Sequence, residues 1–297
     1  MGDLPFTMAL AAVVYRCRLS DRWWRPSRGG ANDVTTVRGA LGDAIGATPA
    51  FAALADVFKP RSKLYPGQVS PAWLVRPSVS QDRRWMDVRM MGWGRAAGCV
   101  PALGEALEVV GEIGLDGPGG RTTFQVEGEV PGFSGTVGEW IDATLGGVAP
   151  EAMEVEFTTP CDAPAIRVSE LAANAAFHLA RLDVVEREAE IGDSEAEKAR
   201  VEGLREVVRG AFAGVAEEAN GLRRVRRGMR RSGENGRWFP LTGVEGRVVL
   251  LGALAGAMPW LGVLSLWGAG VRRSMGLGDV RLWVGPTMNV AMEREHG

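Results

Sequence analysis

Residues 84–93 read Arg84-Trp-Met-Asp-Val-Arg-Met-Met-Gly-Trp93. Met86, Val88 and Met90 alternate with Trp85, Asp87, Arg89 and Met91, so a strand here presents two unlike faces. Residues 73–76, just before it, read as a second strand, and residues 96–110, just after it, as a helix. Further out, residues 6–16 are an apolar run of strand length. Residues 34–58 are alanine-rich and helical, with a break at Thr48-Pro49. Residues 117–120 are a turn and residues 122–127 another strand. Strand, helix, strand, strand, helix, strand is the ferredoxin-like order.

The second half repeats that order. Residues 153–158 alternate as a strand, and residues 168–188 form a helix. The charged segment 194–231 reads as an additional helical insertion. Residues 238–241 and 244–251 are strand-like and separated by Gly243. Residues 257–267 are a second helix and 280–284 the closing strand. The expectation is an α+β protein with two ferredoxin-like (RRM-like) domains in tandem, residues 1–148 and 149–297. They divide near Gly146 to Pro150, and the second carries an arginine-rich helical insertion at about 194–232. The repeat rests on element order, because the halves share no visible sequence identity.

A chain of 297 residues, 46% apolar and 24% charged, has room for one large domain or two ordinary ones with a sizeable core. The net charge of -2 does not by itself point to nucleic acid. The basic residues are more telling. Of 34, only Lys59, Lys63 and Lys198 are lysines. Arginine's planar fork of donors suits phosphate and base edges, although a GC-rich genome produces the same bias, so placement decides.

Arg16, Arg18, Arg22, Arg25 and Arg28 cluster around Trp23 and Trp24. A second cluster holds Arg223, Arg224, Arg226, Arg227, Arg230 and Arg231. On a helix Arg223, Arg226, Arg227, Arg230 and Arg231 share one face. Like charges at that spacing repel unless something anionic lies against them, and an RNA backbone would serve. Such a stripe reads backbone and shape, or a hairpin loop, because the deep groove of A-form RNA is too narrow for side chains. The alternative is a solvated face paired with Glu206, Glu217 and Glu218. Those acids precede the run rather than interleave with it, which favours RNA.

Cys17, Cys99 and Cys161 form no paired framework, and with His178 and His296 they have no zinc-site spacing. No secretory signal is visible, so a reducing cytoplasm is expected. No metal or cofactor is expected either. Residues 248–271 are uncharged, flanked by Arg247, Arg272 and Arg273, and long enough to cross a bilayer. Their glycines and Pro259 divide them into the end of a strand and a buried helix, so no membrane partner is expected.

Between the last helix and the last strand lies Trp267-Gly-Ala-Gly-Val-Arg-Arg-Ser-Met-Gly-Leu-Gly-Asp279. Glycine permits positive φ and close backbone approach. Gly268, Gly270, Gly276 and Gly278, with Arg272, Arg273 and Ser274, make a candidate nest for phosphate. The spacing is not G-x-G-x-x-G, the segment follows a helix rather than a strand, and no Walker pattern is present, so a nucleotide cofactor is not indicated. A plain glycine-rich turn is the structural alternative.

Together with Leu241-Thr-Gly-Val-Glu-Gly-Arg-Val248, this loop resembles the C-terminal signature of the repeat-associated RNA-binding superfamily. More narrowly, it resembles the CRISPR endoribonucleases that cut precursor CRISPR RNA. In that family a Gly-x-x-Gly hairpin, an apolar helix and a glycine-rich loop precede the last strand. Gly243 and Gly246, residues 258–266 and residues 268–278 match these in turn. Val37-Arg-Gly-Ala-Leu-Gly-Asp-Ala-Ile45 is similar to the family's first helix, Trp73-Leu-Val-Arg-Pro77 to its second strand and Arg89-Met-Met-Gly-Trp-Gly94 to its third. The resemblance spans nearly the whole chain and is most specific in the C-terminal loop. An arginine-rich helical insertion also resembles the version found in type IV CRISPR systems.

The resemblance implies metal-independent cleavage, in which the RNA 2′-hydroxyl attacks the adjacent phosphate and leaves a 2′,3′-cyclic phosphate and a 5′-hydroxyl. It also implies a CRISPR repeat hairpin as partner, retention of the mature RNA and contact with other effector subunits. The reaction needs a base, an acid and positive charge at the phosphate. Many family members supply a histidine near the first helix. This chain has none before His178 and offers Arg38 and Asp43 there instead. The catalytic expectation is Arg22 and Arg38 at the phosphate, with Tyr15 orienting the 2′-hydroxyl. Arginine stays charged and carries no proton, so the rate depends on RNA held in line for attack. The competing reading is a non-catalytic RNA-binding subunit of a CRISPR effector complex.

Overall fold

β1 (Ala9–Leu19) pairs antiparallel with β3 (Trp85–Trp93), setting Tyr15 opposite Val88 and Cys17 opposite Met86. Those four side chains are buried, while Arg16 and Arg18, one residue out of step, are exposed on the other face. The computed structural model describes residues 5–20, 31–58, 62–65, 70–117, 120–146, 150–163, 165–231, 238–270 and 278–284. β2 (Trp73–Val79) pairs with β3, and β6 (Phe124–Thr136) with β1, giving the sheet order β2-β3-β1-β6. α1 (Ala31–Ala47) and α3 (Val100–Ile113) pack together against this sheet. They bury Val37, Leu41, Leu103 and Leu107 on one flank of each helix. The short α2 (Leu54–Phe58) follows the break at Pro49, and β4 (Leu115–Gly117) and β5 (Gly120–Thr122) make a small hairpin after α3.

The second sheet has the order β10-β7-β9-β8, built from β7 (Ala152–Cys161), β8 (Val215–Arg231), β9 (Trp238–Gly252) and β10 (Val280–Val284). In both sheets the unit's first strand lies between its third and fourth, with its second at an edge. All pairings are antiparallel. This is the ferredoxin-like arrangement twice over, as element order implies. α5 (Val168–Glu186) and α7 (Met258–Trp267) cover the second sheet, and α6 (Ser194–Ala211) packs on α5.

The insertion corrects the expectation of a helix over 194–232. Asp193 caps α6 by accepting from the Glu195 and Ala196 amides, and ion pairs such as Lys198–Glu195 and Arg205–Glu202 run along it. Past Gly214 the chain is a strand, so the arginine run belongs to β8 and not to a helix. Gly221 and Gly228 would each cost a helix about 1 kcal/mol, and a strand sends neighbouring arginines to opposite sides. β9 supplies the partner along the whole length of β8.

α4 (Val137–Leu145) lies outside the elements expected from the sequence. It is opened by a capping box in which Thr136 and Glu139 satisfy each other's amides. Residues 248–252 finish β9 and α7 spans only Met258–Trp267. Among the described residues no helix is long and apolar enough to cross a membrane.

Candidate nucleic-acid interface

The pairing of β9 with β7 stops at Val244, but its pairing with β8 continues to Trp238 opposite Arg231. The ends of β8 and β9 therefore project past the sheet as a two-stranded arm. Arg224 and Arg226 share one side of β8, and Arg223 lies opposite Glu245; all three arginines are exposed. Arg227, Arg230 and Arg231 fall on the arm's backbone, and their side chains lie outside the described residues. Two of the acids that could have neutralised the run are used elsewhere. Glu206 pairs with Arg209, and Glu217 accepts from the Val168 and Ser169 amides at 2.8 and 3.0 Å, capping α5. Arginines along a sheet edge also deter pairing with other chains, which is the structural alternative to binding.

α1, which carries Arg38, packs against β2 and also meets β8. The half-buried Arg38 lies over the ring of Trp73, its guanidinium carbon 5.1 Å from the ring centre. β2 thus anchors Arg38 through Trp73.

The glycine-rich loop begins where α7 ends. Gly268, Gly270 and Gly278 have φ of 88°, 80° and 70°. Its two stems are drawn together: the Ala269 amide donates to the Gly278 carbonyl at 2.7 Å, and the Gly278 amide to the Pro160 carbonyl at 2.9 Å. A Cβ on Gly270 would stand 3.0 Å from the Asp162 carbonyl oxygen. These glycines therefore serve close packing against the end of β7. Arg272, Arg273, Ser274 and Gly276 lie outside the described residues, as does Arg22.

Tyr15, expected to orient the 2′-hydroxyl, is a core residue in the structure. It points into the core between the first sheet and α3, is 5% exposed, and its hydroxyl donates to the Val100 carbonyl at 3.3 Å. Burial, reinforced by Glu129, Glu108 and Glu105, pushes its pKa up to about 12. A phenol so placed can neither reach RNA nor take up a proton from it. The strand alternation that exposes Arg16 and Arg18 was the signal for this. His178 sits half-buried on α5, edge-on to Phe177.

Sequence reasoning also missed a contact between the domains. Arg76 on β2 meets Asp279, just before β10, at 3.1 Å. The residues are too far apart in the chain for any local pattern to couple them.

No family model matches the chain, and no curated protein matches it in sequence. Solved structures do match. A Cas6 product complex is similar at TM-score 0.53 and 17% identity, over 93% of this chain and 99% of that one. A Cas6 of Thermus thermophilus is similar at TM-score 0.51 and 14% identity with the same coverage. A partial Cas6-RT-Cas1–Cas2 complex reaches TM-score 0.56 at 11% identity, where 95% of this chain matches 47% of the longer one. The chain therefore has the tandem ferredoxin-like fold of the CRISPR-associated Cas6 structures.

Proposed function

We propose that the protein binds CRISPR repeat RNA and processes it as an endoribonuclease of the Cas6 kind. The units 1–148 and 149–297 would present one surface to the RNA. The observation that carries this reading is the exposed arginines Arg223, Arg224 and Arg226 on the arm, where β8 and β9 run past the second sheet. On the first unit, Arg38 rests on Trp73 of β2, and Arg76 of the same strand meets Asp279 beside the glycine-rich loop. Exposed arginines at the arm supply salt-dependent contact with a phosphate backbone. The loop's residues Arg272, Arg273 and Ser274 would hold a phosphate between stems fixed by Gly268, Gly270 and Gly278. The RNA partner is the repeat hairpin, which stays bound after cutting, and other CRISPR effector subunits would join the complex.

Cleavage would proceed by attack of the 2′-hydroxyl oxygen on the neighbouring phosphorus, with departure of the 5′-oxygen. The products are a 2′,3′-cyclic phosphate and a 5′-hydroxyl. Arg38, and Arg22 from the segment before α1, would offset charge on the phosphate in flight. Neither can move a proton, so the protein's main contribution would be to hold the RNA in line. Incubating the protein with its repeat RNA in EDTA and mapping the ends tests this. A single cut with a cyclic phosphate end supports the reading, and metal-dependent or random cutting sinks it.

A second reading is a non-catalytic subunit that binds the same RNA. It is favoured by the burial of Tyr15, which leaves the described parts of β1 and α1 without a histidine or a reachable phenol. Tight binding without any cut in the same assay would select it.

A further inference from the structure

The guanidinium of Arg76 sits at the junction of the two domains. Its side chain is 15% exposed, and Nη2 meets Asp279 Oδ1 at 3.1 Å. Asp279 is held just as firmly on its own side. Its amide donates to Thr159 Oγ1 at 2.7 Å, its carbonyl accepts from the Thr158 amide at 3.0 Å, and Oδ2 accepts from Thr158 Oγ1 at 3.2 Å. Asp279 directly follows Gly278, which is bonded to the other stem at Ala269. A Cβ on Gly268 would come within 3.4 Å of Arg76 Nη2. A continuous chain of contacts therefore runs from β2 of the first sheet, through Arg76, to both stems of the glycine-rich loop.

Arg76 is poorly placed for stability alone. Arg89 is its direct cross-strand neighbour, and like charges so placed oppose folding. Its Nη1 is buried with no hydrogen-bond partner among the described residues. Burial pulls its pKa down, Asp279 raises it and Arg89 lowers it further. A well-packed apolar side chain would serve a purely structural role at no such cost.

We propose that Arg76 is a positioning residue for the glycine-rich loop, fixing the loop of the second domain to the first sheet through Asp279. The consequence for RNA rests on the proposed function of that loop; the positioning itself does not.

Hydrogen exchange and RNA binding, measured on the full chain, separate the two. In Arg76→Ala the amides of Ala269 and Gly278 should exchange about tenfold faster or more, while those of α3 keep their wild-type rates. Affinity of the folded protein for repeat RNA should fall with them. Arg76→Lys should recover part of both, and Asp279→Asn should reproduce the alanine variant. If Arg76→Ala does not fold, the Lys and Asn variants carry the same comparison. The salt slope of binding should not change. A slope smaller by about 0.7–0.9 would make Arg76 a direct phosphate ligand and overturn the proposal. Unchanged exchange at Ala269 and Gly278 also overturns it. A wild-type protein with no affinity for repeat RNA removes the RNA reading alone, and the exchange result still decides the role of Arg76.

Discussion

The indole of Trp93, closing β3, meets that of Trp267, closing α7, edge-on with ring centres 5.1 Å apart. Both are fully buried, so the cores of the two sheets are continuous through this pair. α4 and α7 add to the same seam, where a Cβ on Gly262 would stand 2.7 Å from Ile141. Truncating either tryptophan should cost about 3–5 kcal/mol. Because the seam is shared, the protein should unfold in urea as one transition, followed by fluorescence and circular dichroism together. Two separated transitions in the wild type would mean that the sheets hold themselves up independently.

The arginine arm makes a prediction that depends on charge and not on shape. Arg223→Ala with Arg224→Ala should lower the salt slope of repeat-RNA binding by about 0.7–0.9 for each phosphate the arm no longer neutralises. Both side chains are exposed, so stability should stay within about 0.5 kcal/mol of wild type. Titration of labelled repeat RNA at several salt concentrations measures the slope, and an unchanged slope would reduce the arm to a guarded sheet edge.

The same arm marks where sequence reading stopped working. Residues 84–93 announced a strand because alternate side chains obey a local rule, and β3 obeys it. The run from Arg223 to Arg231 has no such alternation, and arginine is a good helix former. What makes it a strand is its partner β9, which pairs with it as far as Arg231 opposite Trp238. α4 was legible in the Thr136 to Glu139 spacing, a capping box followed by an apolar run. At the site, the glycines of the loop stems could be read from their spacing, since positive φ demands that residue type. The pair Arg76–Asp279 could not, because it depends on how one domain docks on the other.

Tyr15 and the thiols of Cys17 and Cys161 contribute to the response to alkali. Burial, the largest cause in all three, raises the phenol from 10.0, and each thiol from 9.0, to about 12. The folded state therefore keeps protons that the unfolded chain releases. Their contribution is whole below about pH 9 and is lost as pH rises toward 12, at up to about 1.4 kcal/mol per pH unit for each group. Urea midpoints between pH 8 and 11 should fall, and Cys17→Ala with Cys161→Ala should flatten the decline. Tyr15→Phe should lose about 1 kcal/mol with its hydrogen bond yet leave RNA cutting unchanged. A large loss of cutting in folded Tyr15→Phe would restore it to the site.

Gly278 tests whether the loop stems are as closely packed as their geometry implies. At φ +70° a Cβ there would fall 1.7 Å from the Ala269 carbonyl oxygen, so the stem must move to admit alanine. Gly278→Ala should cost about 1–3 kcal/mol in strain. On the proposed function it should also weaken repeat-RNA binding. Gly203, in the middle of α6, has nothing within 4 Å of a built Cβ and no positive φ. Gly203→Ala should therefore stabilise the fold by about 0.5–1 kcal/mol and leave binding alone. Urea unfolding and RNA titration of the two variants side by side decide the matter. Equal binding by both would separate the loop from the RNA, whatever the arm does.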